Sequence, residues 1–325
     1  MARIPNDPYV VLTGNDRGTS DSLTSLNSPL PIVGDASRMT GNSAGGNDTI
    51  TALGDAGLHL IYGDAVTMDA TSRGGADLLI GGDGLLLAID FPDGTGEIVV
   101  LPAVNYLTGD AAFMLLSSRG GNDTLIGGSL AENYLSGDAV SMQQASRGGN
   151  DRLVGGLGGR NVLTGDSGTA FESYDGTVIG MLGQARGGND VLIAGDFSAD
   201  AEDYGSGLNF NILIGDSVKM SDFSVAGRDR LISGSATDRM WGDAQSAGSG
   251  VTTAADTFVF NPDSGNDTIF YFRHGDHDRI DVSAYGFDQL ADMVITGNVI
   301  GFSGGNGVTL DGFTGTLTAA DFIFA

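Results

Sequence analysis

Short apolar groups, each closed by glycine, recur along the chain. In Gly120-Gly121-Asn122-Asp123-Thr124-Leu125-Ile126-Gly127-Gly128 a three-residue apolar or β-branched core sits between glycine turns, which predicts a very short strand. The segment Asn133-Tyr134-Leu135-Ser136-Gly137-Asp138 repeats the arrangement, and Ala139-Val140-Ser141-Met142 forms a third strand-like segment. Met recurs four residues after the Gly-Asp aspartate at Met39, Met68, Met114, Met142 and Met220, so five of the nine methionines share one slot. That column is expected to fill an interior as a flexible packing residue.

Two signatures alternate along these groups. The first is Gly-Gly-Asn-Asp or a close relative, with its aspartate at Asp48, Asp77, Asp123, Asp151, Asp190, Asp229 and Asp267. The second is an apolar residue, one spacer and Gly-Asp, with Asp35, Asp64, Asp110, Asp138, Asp166, Asp216 and Asp243. From a Gly-Asp aspartate to the next Gly-Gly-Asn-Asp aspartate the spacing is 13 residues in five cases, and one full unit is about 28 residues. Such a fixed period is the mark of stacked repeats, each unable to bury its own face alone.

Where the spacing lengthens, extra residues read as excursions from the stack. Residues 85–101 hold two β-prone runs around a Pro-Asp-Gly turn and predict a projecting hairpin. A second candidate covers Ala170 to Leu182, and a third, acidic and less patterned, covers Phe197 to Asn209. In repeat proteins such insertions collect on one face and often form a binding surface.

Composition narrows the reading. The chain has 325 residues, of which 54 are Gly, and 41% are hydrophobic, enough to bury a core. Each Gly costs a helix interior roughly 1 kcal/mol relative to Ala, so a helical fold is disfavoured. The 15 basic against 41 acidic residues give a net charge of -26, which repels nucleic acid and anionic membranes. Packing these carboxylates together calls for a multivalent cation with oxygen ligands, and Ca²⁺ leads. There is no Cys, and no run of 18 apolar residues or N-terminal signal-like stretch occurs.

The nonapeptide Gly-Gly-Asn-Asp-Xaa-Leu-Ile-Gly-Gly resembles the glycine-aspartate repeat of RTX proteins, a Ca²⁺-binding parallel β-roll pattern, over roughly residues 32 to 281. The resemblance implies that turn aspartates of successive coils and nearby carbonyls enclose calcium, making all fourteen aspartates named above candidate ligands. The turns depart from the family pattern where Arg73, Arg119, Arg147 and Arg186 stand in a slot the family gives to glycine. An arginine ladder pairing with Asp in place of a metal is the competing reading. Segments such as Asp256-Thr257-Phe258-Val259-Phe260 and Asp276-His277-Asp278-Arg279-Ile280-Asp281-Val282 resemble the closing part of RTX proteins exported by type I secretion, and Leu317 to Ala325 resembles their uncleaved export signals.

Signatures of catalysis are weak. Three histidines, His59, His274 and His277, form no His-Glu-Xaa-Xaa-His motif, and no nucleophile elbow is present. Trp241 is read as packing. The expected fold is all-β: a right-handed parallel β-roll or β-helix solenoid of about seven coils with inserted hairpins. An irregular segment at 1–30, calcium-binding repeats at 31–250 and a β-rich C-terminal cap at 251–325 are expected. The expected function is that of a secreted, non-enzymatic protein of the exterior or cell surface. It would fold on extracellular Ca²⁺ and serve a structural or adhesive role, with self-association into a filament or layer. The alternative is a carbohydrate- or surface-binding module acting through the hairpins. Expected partners are calcium ions, further copies of the chain and the type I secretion machinery, with no nucleic acid and no membrane span.

Overall fold

The computed structural model describes residues 10–25, 30–54, 56–90, 96–168, 179–202 and 208–325. The predicted all-β solenoid is what forms. Three long sheets of 11, 8 and 10 strands run along it, and nearly all of their pairings are parallel. One coil illustrates the path: Glu132–Ser136 lies in the first sheet, Ala139–Met142 in the second and Arg152–Val154 in the third. Each strand pairs in register with its counterpart one coil away, as Leu107 with Leu135 and Leu125 with Leu153. Register is strongly enforced because a one-residue slip would turn every apolar side chain outward.

Each coil is pinched into two lobes. The Asp138 carboxylate accepts the Gly149 N–H at 2.7 Å, eleven residues further on, so the Gly-Asp corner touches the Gly-Gly-Asn-Asp turn. The wider lobe, between the first and third sheets, holds a leucine and isoleucine column that includes Ile61, Leu79, Leu107, Leu125, Leu135 and Leu153. A separate core of Met39, Met68, Met114, Met142, Met181 and Met220 with Ala65, Ala111 and Ala139 fills the narrow lobe. The methionine column is therefore packing, as expected. Alanine keeps that lobe narrow, and unbranched Met fills the irregular space left.

Residues expected to be irregular at the N-terminus instead begin the stack. Val11–Leu12 pairs with Arg38–Met39, and Ser22–Ser25 pairs with Thr49–Ala52. Backbone pairing with the next coil is enough to order them, whatever their own patterning. At the other end the second sheet stops at Ala244–Ala247, while the other two continue through Gly307–Asp311 and Phe322–Ile323. Phe258, Phe260, Phe272, Phe302 and Phe322 fill this one-lobed end.

The hairpin expected at 85–101 is present, Leu85–Asp90 running antiparallel to Gly96–Leu101. Most of the second excursion and part of the third lie outside the described residues. What is described of the third forms a single helical turn, Ala199–Glu202. No helix among the described residues is long and apolar enough to cross a membrane.

Candidate metal centre

Both aspartate series point into the waist between the lobes. In the turn series, each Oδ1 accepts the backbone N–H of the aspartate one coil earlier. Asp77 N–H donates to Asp123 at 2.7 Å, Asp123 to Asp151 at 2.7 Å, and Asp190 to Asp229 at 2.8 Å. In the corner series, Oδ1 instead accepts from a turn glycine, as Asp110 from Gly121 at 2.9 Å and Asp166 from Gly188 at 2.6 Å. Thirteen residues separate the two aspartates in the uninterrupted coils, and the stretch between them closes the methionine lobe; between Asp166 and Asp190 an insertion lengthens it and Met181 still fills the lobe.

One oxygen of most of these carboxylates is left over, although both oxygens of Asp35 and Asp64 accept backbone N–H groups. Oδ2 of Asp48, Asp77, Asp123, Asp151, Asp190 and Asp229 is buried without a hydrogen-bond partner, and so is Oδ2 of Asp110, Asp138, Asp166 and Asp216. The glycines make room for these oxygens. A Cβ placed on Gly109 would lie 1.8 Å from the Gly137 carbonyl oxygen and 2.2 Å from Asp123 Oδ2. One on Gly120 would lie 1.7 Å from Asp138 Oδ1 and 2.5 Å from Asp110 Oδ2. Two acceptors, a carbonyl and a carboxylate, thus meet at each corner with no donor between them. A buried polar atom left unpaired in this way costs about 1 to 3 kcal/mol, more when charged.

The electrostatics follow from that crowding. Burial, reinforced by neighbouring aspartates, pushes the carboxyls of Asp64, Asp110, Asp138, Asp151, Asp190, Asp216 and Asp229 well above the ordinary range. Asp48 and Asp123 are pushed up to about 7, and Asp166 to about 6, chiefly by burial. Asp35, at the first corner, is half-buried and raised for the same reason. The charged forms of these columns are therefore costly unless something positive offsets them.

Arginine does not supply the missing charge here. Arg73, Arg119, Arg147 and Arg186 do line up in successive parallel bridges, but their side chains are exposed and make none of the ion pairs among the described residues. The ladder reading is right about alignment and wrong about pairing. One arginine elsewhere does reach the column: Arg273 Nη1 stands 2.8 Å from Oδ2 of Asp243, the last corner aspartate.

Asp267 does not stand in the turn column. Its place is taken by Asp256, which accepts from Asp229 N–H at 2.9 Å, and then by Asp278. The reason is local: Asn266–Phe270 is a strand of the first sheet, so Asp267 faces the wide lobe. There it accepts the Asp238 N–H at 2.9 Å and the Ser233 hydroxyl at 2.8 Å, and burial together with the nearby Asp238 charge pushes it up to about 8.

Sequence reasoning missed the element to which Asp238 belongs. Asn105, Asn133, Asn161 and Asn211 form a buried amide ladder. Each donates to the next at 2.7 to 2.8 Å, and the last donates to Asp238. Each also brackets a glycine backbone, as Asn133 does with Gly128 N–H and C=O. The signal was available, since every member lies five residues before a Gly-Asp aspartate. His59 occupies the same register position beside Asn105, fully buried, and burial lowers its pKa.

The waist fits a hard cation. Its free donors are all oxygens, they are anionic or carbonyl, and they repeat with every coil, which suits the 6 to 8 oxygen ligands of Ca²⁺ better than the N/S preference of Zn²⁺. No group of three His, Cys, Asp or Glu side chains among the described residues converges as a metal cage, so main-chain oxygens would have to complete any site. No family model, curated protein or solved structure matches the chain.

Proposed function

We propose that this chain is a secreted, non-catalytic, calcium-binding solenoid of structural or adhesive type. Calcium would take the place of the protons otherwise required by its buried carboxylates. The ligands are the Oδ2 atoms of the two aspartate columns with corner carbonyls such as that of Gly137. The observation that carries this reading is the Asp243–Arg273 pair. At the last corner, where a guanidinium is within reach, it occupies the side of the carboxylate left free at Asp110, Asp138, Asp166 and Asp216. That pairing supports reading the free Oδ2 side of the corner aspartates as a place for a cation.

Weak extracellular calcium modules work at 10⁻⁴ to 10⁻³ M, so folding would follow export into a calcium-rich exterior. The C-terminal resemblance to type I export signals supports that order of events, and end-to-end assembly would use the open strand edges of the first coil. Leu86, Leu87, Ile89 and Ile98, all exposed on the hairpin, support the second reading of a surface-binding module.

The test is the double substitution Asp123→Asn with Asp151→Asn. It keeps the shape and the Oδ1 acceptors but removes two charges from adjacent coils. It should raise the calcium concentration at the folding midpoint roughly tenfold while making the calcium-free protein more stable, since an amide needs neither a cation nor a proton to be buried there. An unchanged calcium midpoint would remove these residues from the site.

A further inference from the structure

The outer side of the same turns carries a different chemistry. Arg73, Arg119, Arg147 and Arg186 stack on successive rungs, which parallel strand spacing sets about 4.8 Å apart. Like charges placed directly opposite one another destabilise a sheet. The chain as a whole carries a charge of -26, yet none of the ion pairs among its described residues reaches these four guanidinium groups. The fold does not require arginine there. The same ladder is continued by Ala44 on one side and by Val225 and Thr252 on the other, with the bridge intact. A run of charges that strains its own surface and is not needed for the backbone points to a ligand.

A second row runs beside it. Asn122, Asn150 and Asn189 are exposed on the same turns, three residues after Arg119, Arg147 and Arg186, and the Oδ1 of each accepts a backbone N–H of the next coil at 2.7 to 2.9 Å. Asn150 and Asn189 also spend one amide N–H within the row, on Asn122 Oδ1 at 3.4 Å and Asn150 Oδ1 at 3.0 Å, which leaves one N–H of each for a ligand. Guanidinium and amide groups together make a strip rich in donors, suited to carboxylates and hydroxyls. A groove of about 450 Å³ lies on it, lined by Ala145, Arg147, Gln184, Arg186 and Phe223. The Phe223 ring is 67% exposed, an apolar platform beside the cations.

We infer that this strip binds a linear acidic polysaccharide, with uronate-type carboxylates on the arginines and a sugar face on Phe223. A thin polymer can follow one cationic row on an acidic molecule. A planar anionic membrane would bring the remaining negative surface against its own charge. Phosphates of one B-DNA strand rise about 3.4 Å each along the duplex axis while winding around it, so they do not follow a straight row of rungs, and they offer no hydroxyl-rich face to the amides. The inference gives the adhesive reading its partner, but it rests on the exterior of the turns and stands whether or not the interior holds calcium.

The experiment is isothermal titration of the folded full chain with polygalacturonate oligomers, with dextran as neutral control. Arg147→Gln with Arg186→Gln is compared with Arg152→Gln and Arg239→Gln, which remove equal charge elsewhere on the surface. Circular dichroism confirms that both variants fold. The ladder variant should lose roughly tenfold or more in affinity and reduce the salt dependence by about two charges, with the control variant near wild type. Equal losses in both variants, or equal binding of dextran, would overturn the assignment. So would binding that persists in the ladder variant, as bridging by calcium would produce. Tighter binding of phosphatidylserine vesicles or of a single-stranded oligonucleotide would replace the polysaccharide by that partner.

Discussion

The central coils and the C-terminal closing region share two sheets but solve burial differently. Between Asp35 and Asp243 the described coils have two lobes, and the waist between them is lined by carboxylates, ten of which have Oδ2 buried and free. Beyond Ala247 the second sheet is gone, and phenylalanines fill the single lobe: Phe258 against Phe272 at 6.3 Å and Phe260 against Phe302 at 5.4 Å. At this boundary one carboxylate of the column, Asp243, receives a cation from the protein itself, Arg273, while Oδ2 of Asp256 stays buried and unpaired like those of the central coils. The closing region is thus stabilised by apolar area, and the central coils by whatever neutralises their aspartates. On the proposed reading, one chain joins an end that folds by apolar burial to a middle whose folding depends on a cation.

The largest separation between the two regions should come from acid. The folded-state pKa values of Asp48 and Asp123 lie at about 7 and that of Asp166 at about 6, above the ordinary carboxyl value. Between these limits the folded chain binds more protons than the unfolded one, so stability falls as pH rises. In calcium-free protein the central coils should be ordered near pH 5 and lose their protection against amide exchange as pH rises through 6 to 7, with the closing region less affected. Protection independent of pH across both regions would erase the distinction.

Next in size is Phe258→Ala, which removes a fully buried ring from the closing region. It should cost about 3 to 5 kcal/mol, and by nearly the same amount with and without calcium, as read from denaturant midpoints. A cost that depends strongly on calcium would mean that the two regions are not distinct in this sense. Smaller still is Arg273→Gln at the boundary. The guanidinium is 37% exposed, so solvent screening limits the loss to about 1 kcal/mol in calcium-free protein. Calcium should recover part of it, because the vacated side of Asp243 becomes one more free carboxylate oxygen. Recovery by magnesium alone, or none at all, would argue against a site of the calcium type.

Much of this was legible in the amino-acid order, because the geometry tolerates few alternatives. Glycine at Gly109 and Gly120 is enforced by oxygens less than 2 Å from where a Cβ would lie, and so the turns announce themselves. The two β-prone runs around residues 91–95 likewise gave the hairpin. Asp256 was hidden because Thr253 and Ala254 stand where the other turns have glycine, with Ala255 in the asparagine position, and Asp267 was mistaken for it because Gly265-Asn266-Asp267 imitates the motif on a strand. The amide ladder escaped notice because asparagine among glycines reads as turn chemistry, whereas here it satisfies four hydrogen-bonding groups inside the wide lobe. The arginines were seen, but their direction was not: a ladder of backbone bridges says which residues align, and only the fold says which side they face.

The most direct test of the central claim is far-UV circular dichroism of chelator-treated full-length protein at pH 7.5 during a calcium titration, with magnesium in parallel. The account predicts a cooperative gain of β signal at calcium concentrations where magnesium has little effect. A β signal that neither chelation nor calcium changes would contradict it, and would mean that protonated aspartates and the two apolar cores hold the coils together unaided.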